Sequence, residues 1–170
     1  GLTNGQGNHG EDVKEYWWYL DAVPSGAWMR WRYHYPQGPF PYEDLIATNG
    51  RRSKTESEYE LLDTGVFDDD RYFDVVVEYA KGAHDDVLML VTAHNRGPDE
   101  ATLHLLPTLW FRNTWSFPPN TAKPSLRALP GGDHPVVVAQ HEELGTWHLH
   151  APVEATLLFC DNESNAARLW

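Results

Sequence analysis

Three β-rich runs follow one another in the middle of the chain: residues 73–80 (FDVVVEYA), 87–94 (VLMLVTAH) and 101–109 (ATLHLLPTL). Short polar connections, KGAHDD and NRGPDE, separate them. Glycine- or proline-bearing links between apolar runs mark hairpins, so the stretch is expected to be an antiparallel meander. A symmetric first loop sets Tyr79 opposite Leu88, Val77 opposite Leu90 and Val75 opposite Thr92. The second sets Val91 opposite His104 and Met89 opposite Leu106. Because side chains alternate, Val75, Val77, Tyr79, Leu88 and Leu90 would share an apolar face that needs a second layer. The expected core of the meander is Val75, Val77, Leu88, Leu90, Leu103 and Leu105.

The same patterning extends to both sides. Residues 16–20 (YWWYL) and 27–35 (AWMRWRYHY) flank a Pro-Ser-Gly turn, another hairpin signature. A symmetric register pairs Trp18 with Met29 and Tyr16 with Trp31. That leaves Trp17 and Tyr19 beside Trp28, Arg30 and Arg32, where guanidinium groups can stack on rings. PQGPFP ends the strand, since proline gives nothing to the ladder. Residues 42–48 (YEDLIAT) are expected to be a short helix, with Pro41 suiting its first turn and Asn49-Gly50 its end. Residues 59–62 are a short strand at best. Residues 117–135, with five prolines and two glycines, form a long irregular segment that is either a functional loop or an interface. Residues 136–141 and 146–150 make a hairpin around EELG, and 155–160 (ATLLFC) is the last expected strand. Asp161 is placed to cap a helix opening at Asn162. About eight strands with one short helix predict an all-β fold, an antiparallel β-sandwich over 1–160, with 161–170 beginning a linker helix.

Composition narrows the partners. At 170 residues the chain suits one domain, able to bury roughly 70% of its unfolded surface. The 8 Trp, 8 Tyr and 6 Phe suit strands and also the walls of sugar sites. A net charge of −12 repels phosphate backbones, which argues against nucleic acid and anionic membranes as partners. No apolar run is long enough to span a bilayer, and the opening residues do not resemble a signal peptide. The lone cysteine, Cys160, can form no internal disulfide, which favours a reducing compartment and a cytoplasmic protein. The chain starts mid-loop and stops inside a helical-looking run, so it is expected to be a piece of a larger protein.

Motif chemistry is sparse. The chain has no Gly-x-Ser-x-Gly, P-loop or dinucleotide-type glycine triplet. Asp68-Asp69-Asp70 lacks the alternating oxygens and the glutamate of a calcium loop, so it is read as a solvated turn offset by Arg71. His148-x-His150 places two imidazoles on one strand face, with His141 across the hairpin, a geometry that can hold zinc. Plain surface or interface histidines are the preferred reading, and no metal or cofactor is expected. The most site-like stretch is residues 8–15. There His9, Glu11, Asp12 and Lys14 set donors, acceptors and both charges beside glycines. It is either a solvated loop or a pocket or interface. Arg112 and Asn113 add fixed donors and Trp115 a flat ring, and the two stretches are expected to converge at one end of the sandwich.

A family resemblance rests on longer blocks. NGQGNHGEDVKEYWWYLD, YPQGPFPYEDL, YELLDTGVFDDDRYFDVVVEYAK and HNRGPDEATLHLLPTLWFRNTWSF resemble the amino-terminal region of bacterial glucosidases of glycoside hydrolase family 63, and the likeness recurs at LLFCDNESNAARLW. The resemblance implies a β-sandwich followed by an (α/α)6 barrel that carries the inverting carboxylates. No catalytic residue therefore transfers to this chain. Its implied partner is the helical catalytic domain of the same parent, with carbohydrate nearby. Two other readings stand beside it: a free-standing carbohydrate-binding module with exposed Trp platforms, and a purely structural sandwich. Coplanar rings open on one face would mark the module, and an apolar patch with a loop rim would mark an interface domain.

Overall fold

In a computed structural model, residues 16–115 and 121–161 are described, apart from the Tyr16 side chain. The chain is all-β with one short helix, its strands forming two antiparallel sheets. It divides into two compact units, Gly1–Leu103 and His104–Trp170. The first holds a four-stranded sheet in the order β1 (Tyr16–Ala22), β2 (Trp28–Pro36), β3 (Tyr72–Ala83) and β4 (Asp86–Asn95). Helix α1 (Tyr42–Arg51) and two short 3-10 turns, Leu61–Thr64 and Asp68–Asp70, lie between β2 and β3.

The hairpins sit where the turn residues put them, but their phase differs from a symmetric reading. β3 and β4 run on to Ala83 and Asp86, so the turn is only His84-Asp85, and a bulge between Lys81 and Ala83 shifts the register. Tyr79 therefore faces Met89, Val77 faces Val91 and Val75 faces Ala93. A one-residue slip sends every β4 side chain to the other face. Leu88 and Leu90, expected in the core, are each 59% exposed opposite Ala80 and Glu78. In the first hairpin a bulge at Leu20 and a longer β1 pair Trp17 with Tyr33, Trp18 with Arg32 and Tyr19 with Trp31. The stacking of arginine on a ring does occur, but between Arg32 and Trp18, 5.0 Å apart.

These registers sort the side chains into two faces. One carries Trp17, Tyr19, Met29, Trp31, Tyr33, Tyr35, Phe73, Val75, Val77, Tyr79, Val87, Met89, Val91 and Ala93. The other carries Trp18, Trp28, Arg30, Arg32, His34, Asp74, Val76, Glu78, Thr92 and His94. Of the expected meander core, Val75 is buried, Val77 and Leu103 are half-buried, and Leu105 is exposed.

The third meander strand does not form, because residues 101–109 join no sheet. The preceding loop is held by contacts of its own. Asn95 accepts from Gly97 N at 2.9 Å and donates to the Asp99 carbonyl at 2.7 Å, while Arg71 grips the Asp99 carboxylate at 2.9 Å. Arg71 immediately precedes β3, so the loop is drawn to the β3 side and away from the free edge of β4. Residues 155–160 likewise join no ladder, and 59–62 opens the first 3-10 turn instead of a strand.

Helix α1 follows Pro41 as expected and carries Glu43 and Asp44 in its first turn, where the positive end of the helix dipole favours them. It ends two residues later than Asn49, whose side chain is occupied by clamping Tyr59 N at 2.8 Å and Tyr59 O at 2.9 Å. Leu45 and Leu61 form a buried cluster with Phe40, Tyr42, Tyr59, Val66 and Phe67 around them. Phe67 carries this cluster to the charged face of the sheet, its ring 5.9 Å from His34 and 5.7 Å from Tyr72.

The second unit holds β5 (Ser125–Ala128), β6 (Val136–His141) and β7 (Gly145–His150) in that order. Seven strands are thus present among the described residues, against about eight expected. β5 lies inside the proline-rich segment, between Pro124 and Pro130. The β6–β7 turn closes through Gly145 at φ 73°, a left-handed position that glycine takes without strain. Central strand β6 is buried on both faces through Val136, Val137, Val138 and Ala139.

Burial ranks substitutions directly. Val75→Asp places an unpaired carboxylate in the sheet interior and should lower the urea midpoint by an amount equivalent to about 3 kcal/mol or more. Leu90→Asp, on the exposed outer strand, should stay within about 0.5 kcal/mol. Equal losses from the two would contradict the β3–β4 register.

Candidate functional site

A pocket of about 320 Å³ opens at the turn end of the β6–β7 hairpin. Register places Ser125, Gln140 and Thr146 side by side across β5, β6 and β7, a hydroxyl, a carboxamide and a hydroxyl on one face. Lys123, His141 and Glu142 complete its polar lining. His141 Nδ1 accepts from the backbone N–H groups of Glu143 (3.1 Å) and Leu144 (3.3 Å). The neutral ring therefore carries its proton on Nε2. Lys123 donates to Asp161 at 3.1 Å and lies 5.8 Å from the centre of the Trp115 ring. The Phe111 ring stands 5.3 Å from that of His141.

Residues 111–115 are thus tied at both ends to residues that line the pocket. Trp115, one of the expected site residues, lies beside Lys123 but not in the lining. Arg112 in the same stretch is exposed and Asn113 half-buried. His9, Glu11, Asp12 and Lys14 lie outside the described residues, as does their expected convergence with Arg112. Lys123, Ser125, Gln140, Glu142 and Thr146 drew no attention in the sequence. Their signal was a polar position recurring in three strands, visible only once β5 is recognised.

A second polar constellation is built on the charged face of the four-stranded sheet. Asp74 is 4% exposed, and Arg96 Nε donates to its Oδ2 at 2.7 Å. His34 Nε2 approaches Oδ1 at 2.6 Å and Arg32 Nε at 3.9 Å. Neither is aligned as a hydrogen bond, so Arg32 Nε, His34 Nε2 and Asp74 Oδ1 have no hydrogen-bond partner. Trp18 and Tyr72 wall the His34 ring at 4.3 and 4.6 Å. Burial pushes the His34 imidazole below its ordinary value, the Asp74 charge pulls it back up, and Arg32 pushes it down again. The net direction is down.

His148 and His150 do share a face, with ring centres 6.4 Å apart. The third imidazole beside them is His134, whose Nε2 is 2.8 Å from His150 Nδ1. His141 belongs to the opposite face, since it pairs with Gly145 while Gln140 pairs with Thr146. Among the described residues no group of three or more His, Cys, Asp or Glu could hold a metal ion. No helix among them is long and apolar enough to cross a membrane.

The chain is similar to the uncharacterized protein YMR196W of Saccharomyces cerevisiae (strain ATCC 204508 / S288c), 33% identical over 206 aligned residues. The alignment takes in 100% of this chain and 19% of the yeast protein, so the chain spans about a fifth of that relative's length. No protein family and no solved structure matches it.

The buried ionic cluster generates a pH prediction. A histidine with a lowered folded pKa binds its proton more readily in the unfolded chain. Its contribution is therefore intact above the unfolded value near 6.5 and lost as pH falls through the folded value. Urea midpoints should drop between pH 7.5 and pH 5, and the drop should shrink in His34→Gln. Asp74→Ala should cost about 1–3 kcal/mol, because Arg96 and Arg32 retain access to water and are not stranded. An unchanged pH profile in His34→Gln would remove His34 from this account.

Proposed function

We propose that the chain is a non-catalytic β-domain of a larger glycoside hydrolase, of the inverting α-glucosidase type, which docks on the helical catalytic domain of the same parent and supports it. The observation that carries this reading is the aromatic face of the four-stranded sheet. Trp17 is 50% and Tyr19 58% exposed there, with Trp31, Tyr35, Tyr79, Val87 and Met89 also exposed. No carboxylate occupies any position of that face, in a chain of net charge −12. Extended apolar patches of this kind mark contact surfaces, and aromatic and methionine side chains without acids are the composition of an interface core.

Ring geometry separates this reading from a free-standing sugar-binding module. Trp17 stacks on Tyr33 at 4.7 Å and 22°, and Tyr19 meets Trp31 edge-on at 74°. A sugar platform needs ring faces lying open in one plane, whereas these rings pack on each other and leave an apolar relief for a protein partner. The sequence blocks that resemble family 63 supply the partner's identity. A relative that matches the whole chain and extends far beyond it suits a domain within a longer protein. In the parent, an acid protonates the leaving oxygen and a base activates water, and both belong to the barrel. The lone Cys160 supports a cytoplasmic setting.

The purified chain should hydrolyse no aryl α-glucoside. Tyr19→Glu combined with Met89→Glu should leave the unfolding midpoint of the chain within about 1 kcal/mol, since both side chains already meet solvent. In the parent protein the same pair should lower activity or the yield of folded enzyme several-fold. Turnover by the chain that vanished on mutating one of its own acids, or a parent indifferent to the double variant, would sink the reading.

A further inference from the structure

We infer that the pocket at the β6–β7 hairpin end is a binding site for one neutral hexose unit. Each sugar hydroxyl both donates and accepts, and the Ser125–Gln140–Thr146 row offers both functions at each position: hydroxyl, carboxamide, hydroxyl. The Ser125 hydroxyl donates to Gln140 Oε1 at 3.5 Å, which leaves the Ser125 oxygen as an acceptor and the Gln140 amide N–H groups as donors toward a ligand. The Trp115 ring lies outside the lining, 5.8 Å from Lys123 Nζ, so its indole reports on the edge of the pocket. A volume of about 320 Å³ lies at the small end of ligand pockets, enough for one sugar and too small for a chain of them.

The charges select among ligands. Lys123 is paired with Asp161, and Glu142 is the one acid in the lining, so an anion gains little and meets a carboxylate. A single carboxyl also cannot perform glycoside hydrolysis, which needs two across the bond. The pocket therefore holds sugar without cleaving it. The inference rests on the glycoside-hydrolase reading only in its choice of a hexose over other polyols.

Titration of the 170-residue chain with D-glucose, with maltose and with inorganic phosphate, followed by the indole NMR signals, tests it. Glucose or maltose should shift the Trp115 indole saturably, with a dissociation constant of roughly 1 mM. Gln140→Ala and Thr146→Val should each weaken that binding about five-fold, the loss of one hydrogen bond. Both variants should keep the unfolding midpoint of the parent chain, and Tyr19→Glu on the other sheet should bind as the unaltered chain does. No saturable shift with either sugar, tighter binding of phosphate, or unchanged affinity in the Gln140→Ala/Thr146→Val double variant would overturn the inference. Should the pocket variants fail to fold, Ser125→Ala carries the same test through the third member of the row. Docking and sugar binding are read separately, so a chain that docks but binds no sugar condemns this site alone.

Discussion

The β2–β3 register, from Trp28 opposite Ala80 to Pro36 opposite Tyr72, governs which chemistry each face of the larger sheet presents. It sets Tyr33 and Tyr35 against Val75 and Phe73, and His34 against Asp74. A slip of one residue would carry the Asp74 carboxylate into the row of rings and strand it without a cation. On its own face Asp74 has Arg96, His34 and Arg32 within 4 Å. Ion pairs in partial burial add little net stability, but they are well suited to fixing a register. The cluster is best understood as the key that holds the aromatic face in phase, with its imperfect hydrogen-bond alignment as the cost.

Much of the architecture was legible because turn chemistry is local. Pro24-Ser25-Gly26, Glu142 to Gly145 and the polar link after Ala80 each mark a turn that the structure contains. Strand phase was not legible, because it depends on bulges. The Gly82 bulge leaves an added Cβ only 2.4 Å from Asp86 Oδ2, so glycine there does signal a distortion, but not its direction. With the bulges in place Leu88 and Leu90 leave the apolar face expected from symmetric pairing, and Val87, Met89 and Val91 join Val75, Val77 and Tyr79 instead. Residues 101–109 looked like a strand by alternation, yet they join no sheet, and alternation alone says nothing of whether a ladder partner is within reach. The pocket was illegible for the same reason: it needs Ser125 beside Gln140, and four strand residues between two prolines give no periodicity to detect. Trp115 was singled out as a ring beside polar groups, and it stands 5.8 Å from Lys123 Nζ without lining the pocket.

The smaller sheet separates its faces as cleanly as the larger one. Leu126, Ala128, Val137, Ala139, Trp147 and Leu149 share one side, while Ser125, Arg127, Gln140, Thr146, His148 and His150 flank the valines of the other. Both sheets thus gather their hydrogen-bonding side chains on one side, although Leu88 and Leu90 share that side in the larger sheet and Val136 and Val138 in the smaller. Their polar faces differ in kind. Asp74 and His34 are withdrawn from water while Arg96 and Arg32 reach it, which suits a structural role. The row at the hairpin end is exposed and borders a cavity, which suits a ligand.

Charge is distributed to match. Residues 1–103 hold 19 acidic and 9 basic side chains, and residues 104–170 hold 6 and 4. The unit with the larger negative excess is also the one with a face free of carboxylates, so its acids keep the surface hydrated without entering the patch. Burying that face removes rings and aliphatic carbons from water and desolvates no acid, so the hydrophobic gain is not offset by the loss of ion hydration. Two copies meeting through it would each bring a net charge of −12, and that repulsion counts against self-pairing and favours a neutral or basic partner.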